Sequence, residues 1–221
     1  MSRKIEFAND EFYHIYNRGV DKRNVFLEKE DLNRFLNYLA LLNNQNPIVS
    51  LHSYSYQEKK SKAQLRGEAS KLVDIVCFCL NPNHYHFLVK QKEDKGISKF
   101  MHRLGTAYTM YFNDKYERSG VLFQGVFKAK HIESNDYLLY LSAYVNLNFE
   151  VHNKWSGTDK PMTYSSWNEY LGKPSLNLCH KDIIQEQFSS VEEYKKYAKE
   201  ALILIKAKKE DDKVLADYLL E

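Results

Sequence analysis

Two apolar runs joined by a tight turn constrain this chain more than any other feature. LVDIVCFCL (72–80) is apolar enough to be a central strand, Asn81-Pro82-Asn83 is a turn signal, and HYHFLVK (84–90) leaves it as a second strand. A hairpin this apolar has to be covered, so the chain must supply helices to pack on it. The flanking patterns supply them. FYHIYNR (12–18) alternates as an opening strand, and Gly19 and Asp21 mark a turn after it. Leu32, Phe35, Leu36, Leu39 and Leu42 recur at helical spacing between Glu28 and Asn44. IVSLHSYSY (48–56) reads as a strand, QEKKSKAQLRGEASK (57–71) as an exposed hairpin tip or insertion, and 97–111 as a helix beginning near Gly96 or Ser98.

VLFQGVFKAKHI (121–132) reads as another strand, and a helix runs from about Asp136 to about Asn148 with Ser134 or Asn135 as its cap. The order is β-α-β-β-β-α-β-α followed by helices. It predicts an α+β protein, an antiparallel sheet of about five strands covered by helices. Two prolines and two glycines in 153–175 suggest that a main domain, residues 1–152, ends there. A linker and a C-terminal helical extension fill 153–221, with Ser190 as an N-cap candidate.

No apolar run approaches the roughly 20 residues of a membrane span, and MSRKIEFANDEFYH has no apolar signal stretch. A soluble, cytoplasmic protein is expected. Cys77 and Cys79 share one face of a strand at C-x-C spacing, which is not that of a zinc or thioredoxin site, so both are expected in the core. A net charge of +3 permits a nucleic-acid partner without arguing for one, but 17 tyrosines are suggestive, because bases stack on exposed aromatic rings.

Three features carry chemistry. His84 and His86, two apart on a strand, project to one face and can reach a single divalent ion. Tyr144 and Asn148, one helical turn apart, can meet the same ion or phosphate, while Asn146 points elsewhere; Tyr137, Tyr140 and Tyr144 form a stripe that packing alone would also explain. In the glycine-bearing stretch 118–128, Gln124 and Lys128 can touch phosphate or base edges.

Taken in order, YHIYNRGVDKRNVF (13–26), CFCLNPNHYHFLVK (77–90), ISKFMHRLGTAYTMYFNDKYERSGVLFQGVFKAK (97–130), DYLLYLSAYVNLN (136–148) and YSSWNEYLG (164–172) resemble the HUH single-strand tyrosine transposases. Among these insertion sequence 200-like transposases, the likeness is to the REP-associated tyrosine transposase-like branch. The resemblance implies a ferredoxin-like HUH fold. It matches His84 and His86 to paired metal ligands, Asn148 to the residue completing that site, and Tyr144 to the nucleophile. It further implies Mg²⁺ or Mn²⁺ as cofactor, and single-stranded hairpin DNA nicked and rejoined through a 5′-phosphotyrosine. Arg18, Lys22, Arg23, Arg103, Tyr108, Lys128 and Lys130 are candidates for holding the DNA. Monomer and homodimer both stay open. The chain departs from the family at Tyr85, where an aliphatic residue is usual, and at Phe149, where the family has Pro and the helix can run on.

Three alternatives remain on sequence grounds. One is a domesticated endonuclease processing genomic repeats with the same site. Another is a non-catalytic nucleic-acid-binding module. The last is an unrelated metalloprotein drawing ligands from His52, His131 or His180, none suitably spaced.

Overall fold

The computed structural model describes residues 5–45, 71–151 and 162–218, with side chains described through 209. The strand expected at 48–56, nearly all of the charged stretch 57–71, and His52 lie outside the described residues. In chain order the elements are β1 (Phe12–Arg18), α1 (Lys29–Leu42), β2 (Val73–Asn81), β3 (His84–Gln91), α2 (Gly96–Lys115), β4 (Lys128–Ile132), α3 (Asn135–Asn146), α4 (Asn148–Val151), β5 (Tyr164–Ser165), α5 (Trp167–Tyr170), α6 (Asp182–Gln185) and α7 (Val191–Tyr218).

The apolar hairpin sits at the centre, as its composition requires. Strand order is β4-β1-β3-β2-β5 with every pairing antiparallel, so the first four strands follow the ferredoxin-like order and the protein is α+β. Period-2 alternation splits the hairpin's side chains between two cores. Phe78, Leu80, Tyr85, Phe87 and Val89 face α1 and α2 with Phe35, Phe100, Leu104 and Tyr108. Cys77, Cys79 and Leu88 face α3 and α7 with Leu141, Val145, Tyr194 and Ala198. A bulge between Ile75 and Cys77 moves the register by one residue, which turns Val76 as well as Cys77 towards the α3 side. Both strand cysteines are fully buried, as expected, and burial pushes the Cys79 thiol up to about 12.

Two elements differ from the sequence reading. Of the strand expected at 121–132 only 128–132 forms, because Gly125 takes a φ of +64° that no extended strand can use. Upstream of it the chain meets the end of β1 through a bridge from Phe123 to Gly19, with Gln124 N donating to the Arg18 carbonyl at 2.8 Å and Asn17 Nδ2 to the Gly125 carbonyl at 3.2 Å. The stretch read as a linker supplies an edge strand instead: Tyr164 and Ser165 pair with Leu80 and Cys79. The capping readings hold, since Ser134 Oγ accepts from Tyr137 N and Ser190 Oγ from Glu193 N.

The start of α2 is pressed against the sheet. A Cβ added at Gly96 would lie 2.2 Å from the Leu72 carbonyl oxygen, a clash with backbone that no rotamer relieves. Gly96→Ala is therefore expected to lower unfolding free energy by ~1–3 kcal/mol, read as a lower urea midpoint at unchanged slope.

Candidate active site

The site forms where β1 ends and β3 begins, beneath α3. Register brings Tyr16 opposite His86 and Arg18 opposite His84, so these four side chains share the face that α3 covers. The tyrosine stripe of α3 lies half-buried along that face. The Tyr144 ring meets the His86 imidazole edge-on at 5.5 Å between centroids, and the His84 and His86 rings stand perpendicular at 5.2 Å. Helix α3 breaks at Leu147 (φ −106°, ψ 13°) and resumes at Asn148 for one turn that carries Phe149. Without the family's proline the chain does run on helically, as a separate turn. Tyr85, the other departure, points to the opposite core and packs on Phe35 and Phe87.

That resumed turn buries Asn148 completely and aims its amide at the histidines. Asn81 Nδ2 donates to Asn148 Oδ1 at 2.8 Å and lies 3.1 Å from His84 Nε2. His84 Nε2 and Asn148 Oδ1 are themselves only 3.4 Å apart. Burial raises the Tyr144 phenol above its ordinary value, and the Asn148 amide beside it works in the opposite direction. The amide nitrogen completes no full hydrogen bond of its own.

A divalent cation fits this donor set. Two lone-pair atoms 3.4 Å apart are close to the roughly 3 Å that neighbouring octahedral ligands keep at ~2.1 Å from an ion. No cluster of three or more His, Cys, Asp or Glu side chains able to hold a metal occurs among the described residues. Of the histidines an unrelated metalloprotein would draw on, His131 is engaged with Glu11 at 2.9 Å and His180 with Asp74 at 3.5 Å, and His52 lies outside the described residues.

A cavity of about 900 Å³ opens over these groups, reaching from Tyr144 and His86 to Arg18, Asn24, Gln124 and Lys128. Among the described residues no carboxylate lines it, and Arg18 and Lys128 at its rim suit a phosphate backbone. Of the residues expected to hold DNA, Arg18, Gln124 and Lys128 line this cavity. Lys22 and Arg23 are exposed on the turn after β1, with Arg23 paired to Asp21 at 3.8 Å. Lys130 is exposed on β4, its ammonium 4.7 Å from the centre of the Tyr137 ring. Arg103 sits on α2 and donates to the Asn44 carbonyl at 2.6 Å, away from the cavity. Tyr108 is a correction: it is fully buried and its hydroxyl donates to the Val25 carbonyl, so it cannot stack on a base.

Sequence reasoning passed over His14 and Tyr16. His14 is buried, with Nε2 2.9 Å from His86 Nδ1; burial, helped by the charge on Lys130, pushes its imidazole down to about 4 and keeps it neutral. Tyr16 stacks on His14 and on His86 at 5.0 and 5.8 Å. The signal was present in FYHIYNR, whose alternation puts 12, 14, 16 and 18 on one face.

Also missed was the clamp that holds α3. Ser166 Oγ accepts from Phe78 N at 2.8 Å and donates to Asn146 Oδ1 at 2.6 Å. Asn146 Nδ2 in turn donates to the hydroxyl of Tyr194, which lies 3.1 Å from Ser142 Oγ. Asn146 thus faces away from Tyr144, as expected, and joins the helix bearing Tyr144 to both the sheet and α7.

Comparison with known proteins agrees with this architecture. A family described as "Transposase IS200 like" matches residues 55–148, a span that contains both histidines, Tyr144 and Asn148. No curated protein matches the chain. A solved structure of a REP-associated tyrosine transposase bound to a REP hairpin is similar at a TM-score of 0.53 with 10% identity; the likeness covers 82% of this chain and 90% of that one. No helix among the described residues is long and apolar enough to cross a membrane.

Proposed function

We propose that this chain, whose residues 55–148 match the IS200-like transposase family, cuts and rejoins single-stranded hairpin DNA through a phosphotyrosine formed on Tyr144. The observation that carries this reading is the convergence of Tyr144, His84 and His86 on one cavity, with the buried Asn148 amide 3.4 Å behind His84 Nε2. The hairpin bound by the structurally similar transposase supports the substrate class.

In the proposed reaction the Tyr144 oxygen attacks the scissile phosphorus. The P–O3′ bond breaks, the DNA 5′ end stays on the tyrosine, and the leaving 3′ oxygen takes up a proton as a free hydroxyl. Rejoining reverses the exchange: a 3′-hydroxyl attacks the phosphotyrosine and returns the phenol. One phosphodiester is made for each one broken, so no nucleotide triphosphate is needed. His84, His86 and Asn148 would hold Mg²⁺ or Mn²⁺, which when bound supplies positive charge to a non-bridging phosphate oxygen and to the phenolate. Arg18 and Lys128 neutralise flanking phosphates, and Gln124 is placed to meet a base edge or backbone oxygen. The clamp through Asn146, Ser166 and Tyr194 keeps α3 on the sheet while the phenol is displaced.

The test is incubation of the protein with end-labelled single-stranded hairpins and Mn²⁺, followed by a denaturing gel. A protease-sensitive adduct that carries the 5′ end of the cut, together with a fragment ending in a 3′-hydroxyl, is the expected result. Cleavage without an adduct would instead indicate hydrolysis by water.

A further inference from the structure

Both histidines of the pair are held from behind, by residues outside the H-x-H motif and through the same ring atom. For His84 the direction of the bond can be read from its neighbours. Asn83 Nδ2 donates to the Lys22 carbonyl at 3.0 Å, which fixes the amide so that Oδ1 points at His84 Nδ1, 2.6 Å away. An amide oxygen only accepts, so Nδ1 carries the proton and Nε2 carries the lone pair. The other side of the ring agrees, because Asn81 Nδ2, a donor, lies 3.1 Å from Nε2.

His86 is in the same situation on the next register position. Its Nδ1 lies 2.9 Å from Nε2 of His14, which β1 places one residue along the shared face from Tyr16 and which is buried beneath α3. The two rings lie within 16° of parallel, and Tyr16 stacks on both, so neither can turn away without breaking that stack.

We infer that His14 and Asn83 are positioning residues that hold His86 and His84 by Nδ1, fixing both imidazoles in the Nδ1-protonated tautomer with Nε2 presented to the cation. An imidazole uses one nitrogen for the ion and is oriented by what the other donates to. In this reading His14 is the acceptor for His86, as Asn83 is for His84. It rests on the proposed function only for the identity of the ion; the tautomers are a property of the protein alone.

The experiment uses the full chain labelled with ¹⁵N at histidine. Long-range ¹⁵N–¹H correlation on metal-free wild type is expected to show a protonated Nδ1 and a bare Nε2 on both rings. His14→Phe keeps a ring on Tyr16 and removes the acceptor. It should shift His86 towards the Nε2-protonated form, leave His84 unchanged, and weaken Mn²⁺ binding, measured from the free-ion EPR signal, by ~10–100-fold. His14→Gln, which restores an acceptor, should recover most of that affinity, and Asn83→Ala should move His84 and not His86. A proton on Nε2 of His86 in wild type overturns the inference without any variant, and so does wild-type Mn²⁺ affinity in a folded His14→Phe protein. Wild type that shows the stated tautomers and takes up no Mn²⁺ supports the inference and counts against the cation in the proposed function.

Discussion

Tyr144→Phe is expected to abolish the protein–DNA adduct and slow strand cleavage by ~10⁴-fold or more, the scale on which enzymes lose rate when the nucleophile itself is removed. The substitution takes away a single oxygen. The ring stays, with its edge-on contacts to His86 at 5.5 Å and His14 at 6.1 Å, and so does its packing on the α3 core. Stability should therefore change by no more than about 1 kcal/mol, the net worth of a hydrogen bond such as the Asn148 amide gives the phenol. Thermal unfolding of the variant near the wild-type temperature, alongside lost adduct, separates chemistry from folding. Tyr140→Phe and Tyr137→Phe are the controls. Both lie on the same helix stripe, stacked on each other at 6.5 Å between centroids. An adduct that survives Tyr144→Phe and disappears with Tyr140→Phe would move the nucleophile one turn back along α3.

Much of this arrangement can be read from residue order, because two local periodicities create it. The period of 2 puts His84 with His86 and Cys77 with Cys79, and the period of 3.6 puts Tyr144 over Asn148 and turns Asn146 the other way. What is hidden depends on register between distant segments. His14 is one histidine in an aromatic strand, 72 positions from His86, and only the β1–β3 pairing brings the two rings together. Tyr108 shows the opposite error. A cation and an aromatic on one helix resemble a base-stacking surface, yet Phe100, Leu104, Ala107, Tyr108 and Phe112 form the buried stripe of α2, and Tyr108 belongs to it. The shortened β4 follows from Gly125, a strand position by composition and a left-handed one by geometry. β5 is two residues long, too short for any alternation to show, and is defined by its partner β2.

The largest loss of stability is expected from Asp31→Ala, ~3–5 kcal/mol of unfolding free energy, as for other buried charged groups whose partners are left behind. Asp31 is fully buried at the third position of α1 and forms a capping box with Glu28. One carboxylate oxygen accepts from the Leu27 and Glu28 amides at 2.8 and 2.9 Å and from the Tyr116 hydroxyl at 2.8 Å. The other accepts from Tyr111 Oη at 3.0 Å and from Lys115 Nζ at 2.9 Å. The side chain thus joins the start of α1 to the end of α2, and its removal takes the acceptor from two backbone donors and two phenols, while Lys115 keeps Glu28 at 3.0 Å and Glu30 at 3.4 Å. Burial alone would raise the carboxyl; the bonds from Lys115, Tyr116 and the two amides outweigh it and hold it below the ordinary range. A carboxyl more acidic when folded than when unfolded binds its proton first in the unfolded chain. Its contribution is then complete above the unfolded value of about 3.9 and is lost as pH falls through the folded one. Urea midpoints measured from pH 6 down to pH 3 should fall for wild type, and the fall should be shallower for Asp31→Asn, which keeps the shape without the titration. Equal slopes in the two proteins would mean that other carboxylates carry the acid sensitivity. A loss under 1 kcal/mol in Asp31→Ala would mean that the donors left behind, which are only partly buried, are satisfied by water or by other acceptors.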